Sequence, residues 1–210
     1  EDAAPAAVET WTLSFPSDED CYERTSPTRE GGMMSRSRWD ADHIPDQKGR
    51  IVVVTGSSSG IGKEAARVLA GKHASVILAV RNAQKGQRVV ETIRQAYAAA
   101  DVSVRELDLA NLESVKTFAE LMLKEYDRLD ILINNAGVMM CPYSKTRDGF
   151  EMQLGTNHLG HFALTGHLLP LLKKTSGSRI VVLSSFGHKM GNLDFSDLNW
   201  EKRKYNTNQA

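Results

Sequence analysis

Residues 50–71 read "RIVVVTGSSSGIGKEAARVLAG". Ile51, Val52, Val53 and Val54 make a β-branched apolar run that ends on a glycine, the pattern of a strand buried on both faces. From Ile61 the period changes: Ile61, Ala65, Val68 and Leu69 recur at helical spacing, and Gly71 marks the stop. Between the two lie the glycines at 56, 60 and 62. In a strand–turn–helix setting, Gly56 permits the tight turn and Gly60 lets backbone amides approach a pyrophosphate. Gly62 allows close helix packing, and the helix amino terminus turns its partial positive charge to the phosphates. The alternative is a plain glycine-rich strand–helix turn.

Working outward, the same alternation repeats. "ASVILAV" (74–80) is a second buried strand, followed by a helix over 83–99 with Val89, Val90, Ile93 and Tyr97 on one face. "VSVRELD" (102–108) alternates, and so reads as a less deeply buried third strand. Asn111 can cap a helix whose inner face is Leu112, Val115, Phe118 and Met122. "LDILINNAG" (129–137) is a fourth strand with a glycine exit. A long helix, about 148–173, carries Leu159, Phe162, Leu169 and Leu172, with a kink expected at Pro170. "SRIVVLSS" (178–185) is a fifth strand. Strands alternating with helices predict an α/β fold: a Rossmann-like, doubly wound parallel sheet with right-handed crossovers and helices on both faces. Ligands of such sheets bind at the carboxyl ends of the strands, near the switch in strand order.

Composition sets limits. The chain has 210 residues, 41% hydrophobic and 25% charged, with 26 basic against 26 acidic side chains. That suits one soluble globular domain and gives no push towards nucleic acid or membrane. The neutrality is uneven. Residues 1–32 hold eight acids and two bases, a net of −6, so the remainder is +6. Pro5, Pro16 and Pro27 interrupt that acidic stretch and no period is sustained, so residues 1–38 are expected to be a disordered tail. Met33 and Met34 sit where a native start could fall, which would make the tail foreign; a genuine acidic interaction tail is the alternative. Cys21 and Cys141 form neither a disulfide framework nor a metal spacing, which favours a reducing, cytoplasmic setting. No apolar run approaches the ~20 residues of a membrane helix.

Arg81 ends the second strand, and no acid occupies 79–83. An acid there would grip the ribose hydroxyls of NAD, whereas an arginine can hold the 2′-phosphate of NADP. NADP is therefore preferred over NAD, against the reading of Arg81 as a solvated strand-end residue. Asp108 can accept from an adenine amino group or serve its own turn. Asn134 and Asn135 can pin loops around a ribose or simply form a turn. His158, His161 and His167 share the long helix without a metal-binding pattern, and are read as packing or solvent-facing residues.

Taken together, "TGSSSGIG" (55–62), "NNAG" (134–137), "TNHLGHFALT" (156–165) and "IVVLSS" (180–185) resemble the short-chain dehydrogenase/reductase family. "LAVRN", "TNHLGHF" and "SSFGHKMGNLDFSDLNWEKRKY" are similar to its retinol-dehydrogenase-like and WW-domain-oxidoreductase-like branch, and the match covers about residues 39–210. The resemblance implies that Gly56, Ser58, Ser59, Gly60, Ile61 and Gly62 line the pyrophosphate loop. It places Arg81 at the 2′-phosphate, Asp108 and Leu109 at adenine, and Asn135, Ala136 and Gly137 near the ribose. It further implies that Asn157 organises a catalytic water and that Ser185 orients the substrate carbonyl, whose oxygen gains negative charge as hydride arrives. A strand-end serine bonding its own loop, and a mid-helix amide satisfied by backbone, are the plainer readings of those two.

The family's proton donor is a tyrosine in a Tyr-x-x-x-Lys step, and no tyrosine here has lysine four residues on; Tyr205 is followed by Gln209. The resemblance implies that "KRKYNTNQA" (202–210) leads directly into that step, so residues 39–210 are expected to be an NADP-binding domain lacking its last strands. A homodimer is then open only to a longer form. The leading expectation is an NADP-dependent oxidoreductase acting on a carbonyl or alcohol of a small, apolar substrate, in a chain inactive by itself. A non-catalytic dinucleotide-binding or interaction module is the alternative from another class. A third is a relative that uses the fold for isomerisation or dehydration.

Overall fold

The computed structural model describes residues 40–210; the expected disordered tail, residues 1–38, lies outside them. After a short 3-10 turn at Ala41–His43 come β1 (Ile51–Thr55), α1 (Gly60–Gly71), β2 (Ser75–Val80), α2 (Ala83–Ala96), β3 (Val102–Glu106) and α3 (Leu112–Glu125). β4 (Ile131–Asn134), the helical turn α4 (Met152–Leu154), a π-turn at Gly155–Leu159, α5 (Gly160–Lys174) and β5 (Arg179–Val182) follow. The five strands are parallel in the order β3-β2-β1-β4-β5.

That order contains the expected switch. From β1 the chain steps outward through β2 to β3, then returns to lay β4 on the other side of β1. The crevice at the carboxyl ends of β1 and β4 is where such sheets bind ligands. Period-2 alternation divides the core between two faces. Val53, Ile77 and Leu132 point to one side and pack with Phe118 and Met122 of α3 and Leu164 and Leu168 of α5. Val52, Val54, Val76 and Leu78 point to the other, against Ala66 and Ala70 of α1 and Val90 and Ile93 of α2. Both faces are covered, which is why β1 and β2 read as unbroken apolar runs.

Two helices differ from expectation. The buried face of α1 is Gly62, Ala66 and Ala70; of the expected stripe of Ile61, Ala65, Val68 and Leu69, only Leu69 packs against the core. Ile61 is 72% exposed. A Cβ on Gly62 would stand 2.4 Å from Asn135 Nδ2 and 2.9 Å from the Gly56 carbonyl oxygen. This close approach fixes the rotation of the helix, and small residues follow one turn apart. Hydrophobicity alone picks the larger side chains and so the wrong face.

The expected continuous helix over 148–173 is broken by the π-turn at Gly155–Leu159, in which Gly160 N–H donates to the Gly155 carbonyl. Two glycines let it dock closely. A Cβ on Gly155 would meet Thr146 Cγ2 at 2.3 Å, and one on Gly160 would meet the Leu109 carbonyl at 2.4 Å. Leu164, Leu168, Leu171 and Leu172 form the buried side of α5, while Phe162 and Leu169 are exposed. Pro170 lies inside α5, which runs on to Lys174.

Candidate functional site

The loop between β1 and α1 carries the strongest local signal. Gly56 and Gly60 have φ of 66° and 58°, a region that side chains beyond glycine rarely adopt. A Cβ on Gly56 would lie 2.7 Å from Ala136 Cα, whereas one on Gly60 would meet nothing within 4 Å. Gly56 is thus a packing glycine, and Gly60 opens a cradle at the mouth of the helix. The start of α1 is also left bare: Ser59 caps it without a side-chain hydrogen bond. Asn82 and Asn111, by contrast, accept from the first turns of α2 and α3. Unsatisfied N–H groups at a glycine-lined helix start fit a phosphate. Ser58 is half-buried in the loop, and Ser59 is exposed beside it.

The other half of the crevice is locked to β1 through Thr55. Its buried hydroxyl oxygen lies 2.9 Å from Asn135 N and 3.0 Å from Ala136 N. Asn135 Nδ2 donates to the Thr55 carbonyl at 2.8 Å. Asn135 therefore ties the turn after β4 to the end of β1. Asn134 is buried and its Nδ2 donates to Thr165 Oγ1 at 3.0 Å. Gly137 is exposed, and a Cβ there would crowd Asn157 Oδ1 at 3.3 Å.

Asn157 sits in the π-turn and clasps the strand-four loop at two points. Its Oδ1 accepts from Val138 N and its Nδ2 donates to the Val138 carbonyl, both at 2.8 Å. π-turns inside helices often mark functional positions. Ser185 follows β5; since Asn134 pairs with Val182, Ser185 and Gly137 stand at the same end of the sheet, three residues beyond that pair. Ser185 is exposed, and its Oγ accepts from Gly187 N at 3.1 Å. This is the loop-bonding geometry of the plainer reading, and it leaves the hydroxyl proton free to be donated.

Arg81 is exposed at the end of β2. Asp108 is half-buried and spends Oδ1 on Ala110 N at 3.0 Å, an Asx turn. Leu109 is a core residue, 5% exposed, so its side chain belongs to the packing of α5 rather than to a ligand.

Sequence reading missed three residues. His161 is neither a surface nor a simple packing residue: it is buried, with Nδ1 2.8 Å from the Asn157 carbonyl and Nε2 2.9 Å from Thr55 Oγ1. Burial pushes its pKa down, and nearby His158 acts in the same direction; the Asn157 carbonyl opposes them. Glu151 is fully buried and takes the N–H groups of Gln153 and Leu154. It also accepts from the Tyr205 hydroxyl at 2.9 Å, and Gln153 Nε2 donates to that hydroxyl at 3.1 Å. Tyr205 packs edge-on against Tyr143 and Trp200. Burial first, with Glu151 adding to it, pushes the Tyr205 pKa up to about 12. A phenol held there anchors the segment around Trp200 and is poorly placed to shuttle protons at neutral pH. A buried acid amid "DGFEMQLG" carries no sequence signal, because its partner lies 54 residues away.

With that geometry in place, comparison with known proteins decides the family. A profile of the short chain dehydrogenase family matches residues 50–196. The chain belongs to that family. It is 51% identical to retinol dehydrogenase 13 of Homo sapiens over 162 residues, 77% of this chain and 49% of the relative. To human retinol dehydrogenase 11 it is 52% identical over 154 residues, 73% of this chain and 48% of that one. The chain thus spans about half the length of the curated relatives it matches, and it falls in the retinol-dehydrogenase-like branch of the family. A crystal structure of an uncharacterised protein from Mycobacterium paratuberculosis matches with a TM-score of 0.72 at 48% identity, covering 81% of this chain and 59% of the other. A short-chain dehydrogenase from Escherichia coli complexed with NADPH matches at 0.61 and 33% identity, over 74% of this chain and 65% of its own. The short-chain dehydrogenases are nicotinamide-dependent oxidoreductases with this parallel sheet, as the sequence resemblance implied. Among the described residues no helix is long and apolar enough to cross a membrane, and no cluster of metal-binding side chains occurs.

Proposed function

We propose that residues 40–210 are the cofactor-binding part of an NADP-dependent dehydrogenase that moves hydride between the nicotinamide and a carbonyl or alcohol carbon of a small apolar substrate. One observation carries the reading: the bare, glycine-lined start of α1 stands in the strand-order switch, with Arg81 at the end of the neighbouring strand and no acid beside it. The amides from Ser59 to Gly62 receive the pyrophosphate, and Arg81 receives the 2′-phosphate. Asp108 keeps one carboxylate oxygen for adenine. The bound cofactor supplies the hydride chemistry. Ser185, with its oxygen already holding Gly187 N–H, directs its proton to the substrate oxygen as negative charge develops. Asn157 keeps the 135–138 turn in register with the π-turn. The NADPH bound to the Escherichia coli relative supports the cofactor choice, and the retinol dehydrogenases support an apolar alcohol or aldehyde as substrate. Among the described residues Cys141 is a free thiol, in keeping with a reducing, cytoplasmic setting.

These residues contain no Tyr-x-x-x-Lys step, and Tyr205 is engaged with Glu151. The described residues are therefore assigned cofactor binding, with the proton-donating step not assigned to Tyr205. Fluorescence titration tests this directly: NADPH binds at least ~10-fold tighter than NADH, and Arg81→Ala removes the difference. Equal affinities for the two cofactors in the parent chain, or no binding of either, would sink the proposal.

A further inference from the structure

His161 is a buried titratable group to which that reading gives no task. Its surroundings fix its protons. The Asn157 main-chain oxygen can only accept, so Nδ1, 2.8 Å away, must carry hydrogen. In a neutral ring Nε2 is then an acceptor, and the Thr55 hydroxyl, 2.9 Å away, must donate to it. Thr55 Oγ1 is left with two lone pairs, and two N–H groups point at them, those of Asn135 at 2.9 Å and Ala136 at 3.0 Å. Every position is filled once. The competing acceptor for the Thr55 proton, the Ile133 carbonyl, is farther off at 3.3 Å.

The path then closes on itself. Asn135 and Ala136 lead along the backbone to Val138, which Asn157 clasps with both ends of its amide. The Asn157 carbonyl holds His161, and His161 holds Thr55. A ring of hydrogen bonds joins the end of β1, the turn after β4 and the π-turn of the long helix.

We propose that His161, as the neutral tautomer with hydrogen on Nδ1, is a positioning residue that sets the 135–138 turn and Asn157 as one unit. The cofactor end and the substrate end of the crevice are then placed together. The consequence for binding rests on the functional reading above; the ring itself does not.

Charging the imidazole would break the sequence of donors. Nε2–H would face Thr55, which would have to release Asn135 or Ala136 and turn its own proton to Ile133. Burial disfavours that charge, and His158, on the same helix, is the titratable neighbour that adds to the effect. From β1 and β4 the ring faces the Thr55 hydroxyl and the 135–136 turn. Among the described residues, no carboxylate or cation of β1, β4 or α3 pairs with it.

The decisive measurement is imidazole nitrogen NMR on the 15N-labelled chain, without cofactor. His161 shows the neutral pattern with hydrogen on Nδ1 and keeps it at pH ~6, where a free histidine is mostly charged. Hydrogen on Nε2, or a charged ring at that pH, would overturn the proposal. Cofactor titration supplies the second arm. His161→Phe weakens NADPH binding ~10-fold or more, and His161→Gln, which keeps a donor and an acceptor, recovers most of the loss. Thr55→Val added to His161→Phe costs less than Thr55→Val costs alone, because the Thr55–His161 bond is already gone while the Asn135 and Ala136 bonds are still to be lost. Additive losses, or no recovery with glutamine, would refute the linkage. If His161→Phe does not fold, the NMR result on the parent chain decides alone. If the parent chain binds no NADPH, the functional reading fails while the tautomer still tests the ring.

Discussion

β2 and β5 are written in almost the same residues and live in different surroundings. Ser75–Val80 reads "SVILAV" and Arg179–Val182 reads "RIVV". Ile77 and Leu78 are at most 2% exposed, yet Val182 is 66% exposed. β2 lies between β3 and β1 with helices on both faces. β5 pairs with β4 alone, at the edge of the sheet. An apolar β-branched run states that a strand calls for cover; only the neighbours supply it. Ile180, Val181, Leu183 and Phe186 extend the uncovered surface, and an exposed apolar edge of this kind invites pairing with another chain.

The largest expected effect puts the contrast into numbers. Leu78→Ala costs about 2–5 kcal/mol, because it removes buried methyl groups and leaves a cavity. Val182→Ala costs less than ~1 kcal/mol, since water already reaches that side chain. Urea unfolding of both variants measures the pair. A Val182 penalty equal to that of Leu78 would mean that β5 is covered in solution. Next comes Gly62→Ala at about 1–3 kcal/mol, because the added carbon drives into Asn135 and the Gly56 carbonyl. This variant also loses NADPH affinity, whereas Leu78→Ala retains it as long as the protein is folded. Unchanged NADPH binding by Gly62→Ala would remove Gly62 from the site.

How much of this was legible in the sequence follows from the range of the forces involved. The strands, their parallel arrangement and the glycine loop were readable because each rests on local patterns: period, β-branching and turn chemistry. The face of α1 was not, because its rotation is set by Gly62 meeting Asn135, a contact across 73 positions of sequence that hydrophobicity does not register. The π-turn was equally hidden. Its geometry depends on close docking of Gly155 on Thr146 and of Gly160 on Leu109. His161 was misread for the same reason, since its partner Thr55 is 106 residues away. The glycines of the loop were legible because their spacing after a strand is a local pattern, and the histidine was missed because its hydrogen bonds exist only in the folded chain.

A smaller effect lies at the opposite end of the sheet from the crevice. Asp130 is buried at the foot of β4, where its Oδ2 accepts from Ile51 N and Arg128 Nε, both at 2.9 Å, while Arg128 Nη2 reaches Oδ1 at 2.6 Å. Burial raises its pKa, but the Arg128 hydrogen bonds, the Ile51 N–H and the charges of Arg128 and Arg50 outweigh it and hold the carboxyl below its ordinary value. The sign follows from linkage. With the folded pKa depressed, the stabilisation is full above the ordinary carboxylate range and is lost as pH falls through the folded value. Asp130→Asn therefore costs about 1–2 kcal/mol at neutral pH, and its deficit shrinks below pH ~4. A deficit that stays constant across that range in urea unfolding would show that charge plays no part in tying β1 to β4.

The smallest effect on stability tests the exposure of β5 most sharply. Val182→Lys places a charge on the exposed edge, a device by which sheets avoid pairing with other chains. The side chain stands in water already, so the change in unfolding free energy stays within ~0.5 kcal/mol. Self-association, measured by sedimentation as concentration rises, falls in the variant. The same substitution at Leu78, its counterpart in the buried strand, would abolish folding, since an unpaired ammonium cannot be accommodated in that core. If Val182→Lys instead unfolds the chain and leaves no soluble monomer, β5 is packed against a second copy in solution. The contrast between the two strands would then belong to the isolated chain alone.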